Sequence, residues 1–219
     1  MFEKRFKSHH DVKSIIGAKF KASKRMGTPE EIKVLFDSEP KDDTGILYIR
    51  TPFCDKICSF CNLNRKQLDN DLEEYTDFLI SEFEKYGATN YMRHKRLEVV
   101  YFGGGTPTIF KAGQLERILE SINKNFILKD NCEFTFETTL HNLTDEKLEV
   151  MERLGVNRLS IGIQTFSDRG RKILNRTYDK ETAVKRLGEI KAKFNGLVCV
   201  DIIYNYPDQT PEEVKEDAE

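Results

Sequence analysis

The sequence has no apolar run close to the roughly 18–20 residues that a membrane-spanning helix needs. It has no low-complexity tract, no internal repeat and no linker. Its first residues, "MFEKRFKSHHDVK", are charged and lack the apolar stretch of a secretory signal, so the expected compartment is the cytoplasm. A strong excess of one charge is also missing: the net charge is −2 although 33% of the 219 residues are charged. Nor is there a stripe of basic and aromatic residues of the kind that binds single-stranded nucleic acid. The most informative absence concerns cysteine. "TPFCDKICSFC" sets Cys54, Cys58 and Cys61 within eight positions, and no fourth cysteine stands beside them.

Positive charge does gather at the front of the chain. Residues 1–36 hold nine Lys or Arg against four Asp or Glu, a distribution that suits either a solvated segment or an anionic partner such as a phosphate or a tetrapyrrole propionate. Residues 1–44 therefore read as a basic N-terminal extension, with the paired His9 and His10 as ordinary surface groups.

From residue 45 onward, β-branched runs alternate with amphipathic stretches. Strands are expected at 45–50, 97–102, 132–137, 158–164 and 198–204, and helices at about 71–88, 111–125, 145–154 and 180–194. This alternation predicts an α/β fold with a parallel sheet, and runs such as "LEVVYF" suit strands covered on both faces. Thr28-Pro29-Glu30-Glu31 and Thr210-Pro211-Glu212-Glu213 each combine an N-cap hydroxyl, a first-turn proline and a glutamate three residues after the cap. The second begins a helix nine residues before the last one, so a fragment of a longer protein is expected, with a sixth strand missing.

Three thiols after the first strand lie where parallel βα folds keep their chemistry. Iron–sulfur clusters of the [4Fe–4S] type are ordinarily held by four thiolates, so three would leave one iron open to a small molecule. Zinc would want a fourth Cys or His, and Cys132 and Cys199 fall inside predicted strands, where they read as buried core residues. An iron–sulfur site, a zinc site and unreactive thiols all remain open on spacing alone.

The order Cys54-x3-Cys58-x2-Cys61, with Phe60 before the third thiol, resembles the signature of radical S-adenosylmethionine (SAM) enzymes. "LYIRTPFCDKICSFC", "YFGGGTPT", "NRLSIGIQTF" and "VDIIYNYPDQTPEE" are together similar to the oxygen-independent coproporphyrinogen III oxidase-like family over residues 46–213. The resemblance implies a partial (β/α)6 TIM-like radical SAM barrel over 45–219, without the sixth strand or the family's C-terminal domain. It implies Cys54, Cys58 and Cys61 as ligands of a [4Fe–4S] cluster. Tyr48, Phe60, Gly104, Gly105, Thr106, Glu137, Gln164, Arg176 and Asp201 then become SAM contacts. It further implies reductive SAM cleavage to a hydrogen-abstracting radical, a tetrapyrrole substrate (haem or a porphyrinogen), and a low-potential electron donor such as flavodoxin or ferredoxin. No catalytic side chain is singled out.

Several of these positions have structural alternatives. A glycine triplet after a strand can be a tight turn whose amides bind nothing, Arg176 can be a surface charge, and Asp201 a core aspartate paired with a cation. The match also departs from the pattern. Arg50 stands where the family has histidine, Asn62-Leu63 replaces a cysteine two residues after Cys61, Glu137-Thr138-Thr139-Leu140 replaces Glu-Ala-Asn-Pro, and Tyr204-Asn205-Tyr206-Pro207 replaces Tyr-Gly-Leu-Pro. These differences weaken coproporphyrinogen decarboxylation. The first strand starts only at 45, and "AKFKASKRMGTPEEI" resembles the extension of the haem-utilisation branch. The favoured expectation is thus anaerobic haem ring opening with methyl transfer (an anaerobilin synthase-like activity); coproporphyrinogen oxidation and haem carriage are the alternatives.

Overall fold

The computed structural model describes residues 27–63, 66–68 and 72–219, which fall into two units divided between Leu35 and Phe36. The predicted roles of His9, His10 and most of the basic extension lie outside the described residues. Helix α1 (Pro29–Asp37) begins at the predicted capping box: the Glu31 amide donates to Thr28 Oγ1 at 3.2 Å, and the Thr28 amide donates to Glu31 Oε2 at 3.0 Å.

The remaining elements follow in order: β1 (Thr44–Thr51), the short β2 (Phe53–Cys54) and β3 (Lys66–Gln67), α2 (Glu73–Gly87), α3 (Asn90–Arg93), β4 (Arg96–Gly104), α4 (Ala112–Asn125), β5 (Ile127–Thr138), α5 (Asp145–Arg153), β6 (Arg158–Gln164), α6 (Asp168–Ile173), α7 (Lys180–Lys193), β7 (Leu197–Ile202) and α8 (Pro211–Ala218). Five strands form one parallel sheet in the order β1-β4-β5-β6-β7. The long strands follow one another without reversal, so the sheet has no topological switch point and forms part of a barrel wall rather than a doubly wound sheet.

Alternation along the strands explains why the wall has two different faces. Phe102, Phe134, Phe136, Leu159, Ile161 and Ile163 are almost fully buried and pack in one cluster with Leu115, Ile118, Leu119 and Ile122 of α4. Phe102 and Phe136 stack at 4.1 Å between ring centres. Each such side chain contributes about 1.5–3 kcal/mol on burial, which anchors the wall to its helices. The alternate residues are polar: Tyr48, Tyr101, Thr135 and Arg158 share one register row across β1, β4, β5 and β6. At the sheet's two edges, Tyr48 is 57% and Leu197 59% exposed.

All five expected long strands and all four expected helices are present, with shifts at their ends. β5 starts at Ile127 rather than 132; its register with β4 jumps from Leu97↔Leu128 to Val99↔Glu133, so polar residues between are accommodated in a bulge. β7 ends at Ile202, before Tyr204. Among the described residues no helix is long and apolar enough to cross a membrane.

Candidate active-site cleft

The C-terminal ends of the strands open into a cleft of about 210 Å³. Cys54, Cys58, Cys61, Phe60, Gly104, Gly105, Thr106, Glu137, Gln164, Arg176 and Asp201 all line it. Of the twelve residues expected from sequence, only Tyr48 is missing from that lining. It lies two residues before Arg50, the register partner of Gly103, its ring 5.7 Å from that of Tyr101 and nearly parallel to it.

β1 delivers the three-thiol loop, and the glycine triplet holds it. The Gly105 amide donates to Thr51 O at 2.6 Å and the Thr106 amide to Phe53 O at 2.8 Å. Gly104 donates its amide to Glu137 Oε2 at 3.1 Å, while Tyr101 donates its hydroxyl to Glu137 Oε1 at 2.9 Å. The Gly104 and Gly105 N–H groups are thus engaged within the protein, and what the missing side chains permit is close approach of two loops. Burial raises the Tyr101 hydroxyl well above its ordinary pKa, and the hydrogen bond to the Glu137 carboxylate adds to the rise.

None of the three cysteines is in a disulfide; Cys54 is buried and Cys58 and Cys61 are partly so. Thr106 Oγ1 donates to Cys54 Sγ at 3.6 Å, and Arg176 Nη1 donates to Cys58 Sγ at 3.0 Å. Among the described residues no three His, Cys, Asp or Glu side chains converge as ligands of one metal ion. In a [4Fe–4S] cluster each thiolate holds its own iron, so convergence on one point is not required. The donor set fits such a cluster, and Arg176 Nε is buried without a hydrogen-bond partner, a donor available to an anionic ligand.

Two of these positions have features that the sequence does not indicate. Asp201 is not the cation-paired core aspartate of the structural alternative: it stands exposed on the edge strand β7, accepting from Ser160 Oγ at 2.9 Å. An edge position lets water solvate the charge, so no salt bridge is needed. Gln164 adopts φ +74° at the end of β6, a left-handed conformation uncommon for residues with a side chain and concentrated at functional sites.

Sequence reading missed the groups that fix the loop from across the cleft. His141 Nε2 lies 2.6 Å from Asp55 Oδ2, and Asn142 Nδ2 donates to Asp55 Oδ1 at 3.2 Å. The hydrogen bond from His141 is the main reason the Asp55 carboxyl is held down to about 2. On the other side Asn175, at φ +55°, donates its side-chain amide to Ile57 O at 2.8 Å, and Ser59 Oγ donates to Ile173 O at 2.7 Å. His141 sits in the loop after β5 and Asn175 just after α6, in the connection from β6 to α7, and that position was their only sequence signal.

Comparison with known proteins identifies the family. The family model described as the radical SAM superfamily matches residues 48–219. The chain is 34% identical over 173 residues to the heme chaperone HemW of Lactococcus lactis subsp. lactis (strain IL1403), covering 78% of this chain and 44% of that protein. It is 32% identical over 173 residues to the anaerobilin synthase of Escherichia coli O157:H7, covering 78% and 39%. Among solved structures, coproporphyrinogen III oxidase (HemN) from Escherichia coli superimposes with a TM-score of 0.76 at 24% identity, covering 92% of this chain and 48% of that one. The chain spans less than half the length of these relatives. Proteins of the matched superfamily use a [4Fe–4S] cluster and SAM. By its fold, its three-thiol loop and the family match over 48–219, this chain belongs to the radical SAM superfamily.

Proposed function

We propose that this chain forms the SAM-cleaving portion of an enzyme acting on a tetrapyrrole, and that the reaction is anaerobic opening of the haem ring with methyl transfer. One observation carries the proposal: the three cysteines, none of them in a disulfide, line a single cleft together with Glu137, Arg176 and Asp201. The choice of tetrapyrrole rests on the names of the relatives, which include an anaerobilin synthase.

In this reading Cys54, Cys58 and Cys61 hold the cluster. Phe60, Gly104, Gly105, Thr106, Glu137, Gln164, Arg176 and Asp201 surround SAM, with Tyr48 acting from below. When bound, the cluster and SAM supply a hydrogen-abstracting radical. The protein's part is orientation and shielding. Tyr101 and the Gly104 amide fix the Glu137 carboxylate, Ser160 fixes Asp201, and the buried Nε of Arg176 offers a donor to a carboxylate. A low-potential carrier such as flavodoxin or ferredoxin supplies the electron, and the protein works in the cytoplasm, with residues 1–44 as an extension preceding the 45–219 core.

A second reading is a haem carrier, favoured by the 34% identity to a heme chaperone. Anaerobic incubation of the reconstituted, reduced protein with haem and SAM separates the two. The proposal expects 5′-deoxyadenosine and a ring-opened tetrapyrrole, both lost in Cys58→Ala. Haem bound stoichiometrically and released unchanged, with the same behaviour in Cys58→Ala, would support the carrier instead.

A further inference from the structure

The end of α6 and the residues after it grip the middle of the three-thiol loop at the consecutive residues Ile57, Cys58 and Ser59. Asn175 Nδ2 donates to Ile57 O at 2.8 Å, Arg176 Nη1 donates to Cys58 Sγ at 3.0 Å, and Ser59 Oγ donates to Ile173 O at 2.7 Å. Arg176 is itself fixed: Nη2 donates to Gly162 O, and its amide donates to Arg171 O at 2.8 Å. Behind it, Arg171 is 4% exposed and donates to the carbonyls of Ile163, Thr165 and Tyr178. The guanidinium is therefore held at the sulfur by a built framework.

We infer that Arg176 sets the reduction potential of the cluster through its hydrogen bond to the Cys58 sulfur, a role independent of any contact it makes with SAM. The inference rests on the cluster assignment proposed above. Hydrogen bonds to ligating sulfurs and nearby charge are among the factors that set cluster potentials. A cation bonded to a thiolate favours the reduced cluster, which carries one more negative charge, and so raises the potential. Arg176 qualifies on both counts: it is always charged, and it directs one arm of its fork at sulfur while the other arm is tied to the β6 backbone.

The test is an EPR-monitored redox titration of the anaerobically reconstituted protein without SAM, comparing wild type with Arg176→Met, Arg176→Lys and Asn175→Ala. Omitting SAM removes any effect that Arg176 has through that ligand. The expected result is a midpoint potential shifted to more negative values in Arg176→Met and by a smaller amount in Arg176→Lys. Asn175→Ala, which loosens the loop but keeps the donor, is expected to retain less iron with a nearly unchanged potential. If Arg176→Met fails to load, the shift in Arg176→Lys decides the matter. Equal potentials in wild type and every loaded Arg176 variant would overturn the inference while leaving the cluster assignment intact. A wild-type protein that takes up no cluster would overturn both.

Discussion

Gly105 lies so close to the carbonyl of Phe53 that a Cβ on it would stand 2.3 Å from the oxygen. No L side chain fits there without separating the glycine loop from the start of the three-thiol loop. Gly105→Ala is expected to cost about 1–3 kcal/mol of stability by overpacking. It also displaces Cys54, so iron bound per chain after reconstitution should fall severalfold. Iron analysis beside a urea melt checks this; an alanine variant with wild-type iron content would refute the proposed contact.

Asn205 has φ +67°, in the turn where the resembled family carries glycine. Asparagine tolerates the left-handed region better than other residues with side chains, so the turn keeps its backbone shape without glycine. Asn205→Ala should cost about 1 kcal/mol, whereas Asn205→Gly should be close to neutral. Chemical denaturation of the two variants reads the difference directly. The following residue completes the turn: Tyr206 is buried, and its hydroxyl occupies the space that a Cβ on Gly170 would need.

The Asp55–His141 contact joins the three-thiol loop to the β5–α5 loop. His141→Ala and Asp55→Asn are each expected to speed proteolytic cleavage in the three-thiol loop and to lower retained iron. Because both break the same contact, the double variant should lose little more than either single one. Additive losses would mean that the two residues act separately.

Asp145 ties α5 to α7. Its hydrogen bond with Lys193, and then that with Arg186, hold its pKa below the ordinary 3.8. A carboxyl lowered in the folded state stabilises it above the unfolded value, and that contribution is lost as pH falls through the folded value. Asp145→Asn should therefore be less stable than wild type at pH 7, and the gap should close as pH drops below about 3.8. Urea midpoints measured across that range test the sign. Added salt should narrow the gap at neutral pH, since the pair is at the surface.

Much of this architecture was legible because it is written in local periodicity. Runs such as "LEVVYF" and "RLSIGIQ" mark β4 and β6 closely, and Thr210 with Glu213 marks the start of α8, where both reciprocal hydrogen bonds form. The start of β5 was harder to read, because Lys129-Asp130-Asn131 looks like a turn and only the register shift against β4 absorbs it. Helix α6 has six residues with Gly170 inside, too short for a helical period to show. The site divides in the same way. Eleven of the twelve expected residues line one cleft, since the motifs sit at strand ends and the topology brings those ends together. What holds them is non-local: His141 is 86 residues from Asp55, and Arg176 is 118 from Cys58. No spacing rule connects such pairs. The exposure of Asp201 was also hidden, because its sequence does not say that β7 is a sheet edge.

The central claim is that Cys54, Cys58 and Cys61 hold a cluster with one iron left for SAM. Anaerobic reconstitution with iron and sulfide, reduction, and EPR spectra with and without SAM test it most directly. The account predicts a [4Fe–4S]⁺ signal whose shape changes when SAM is added, and no such signal in Cys58→Ala. A cluster signal indifferent to SAM, or three thiols that take up zinc and no cluster, would contradict it.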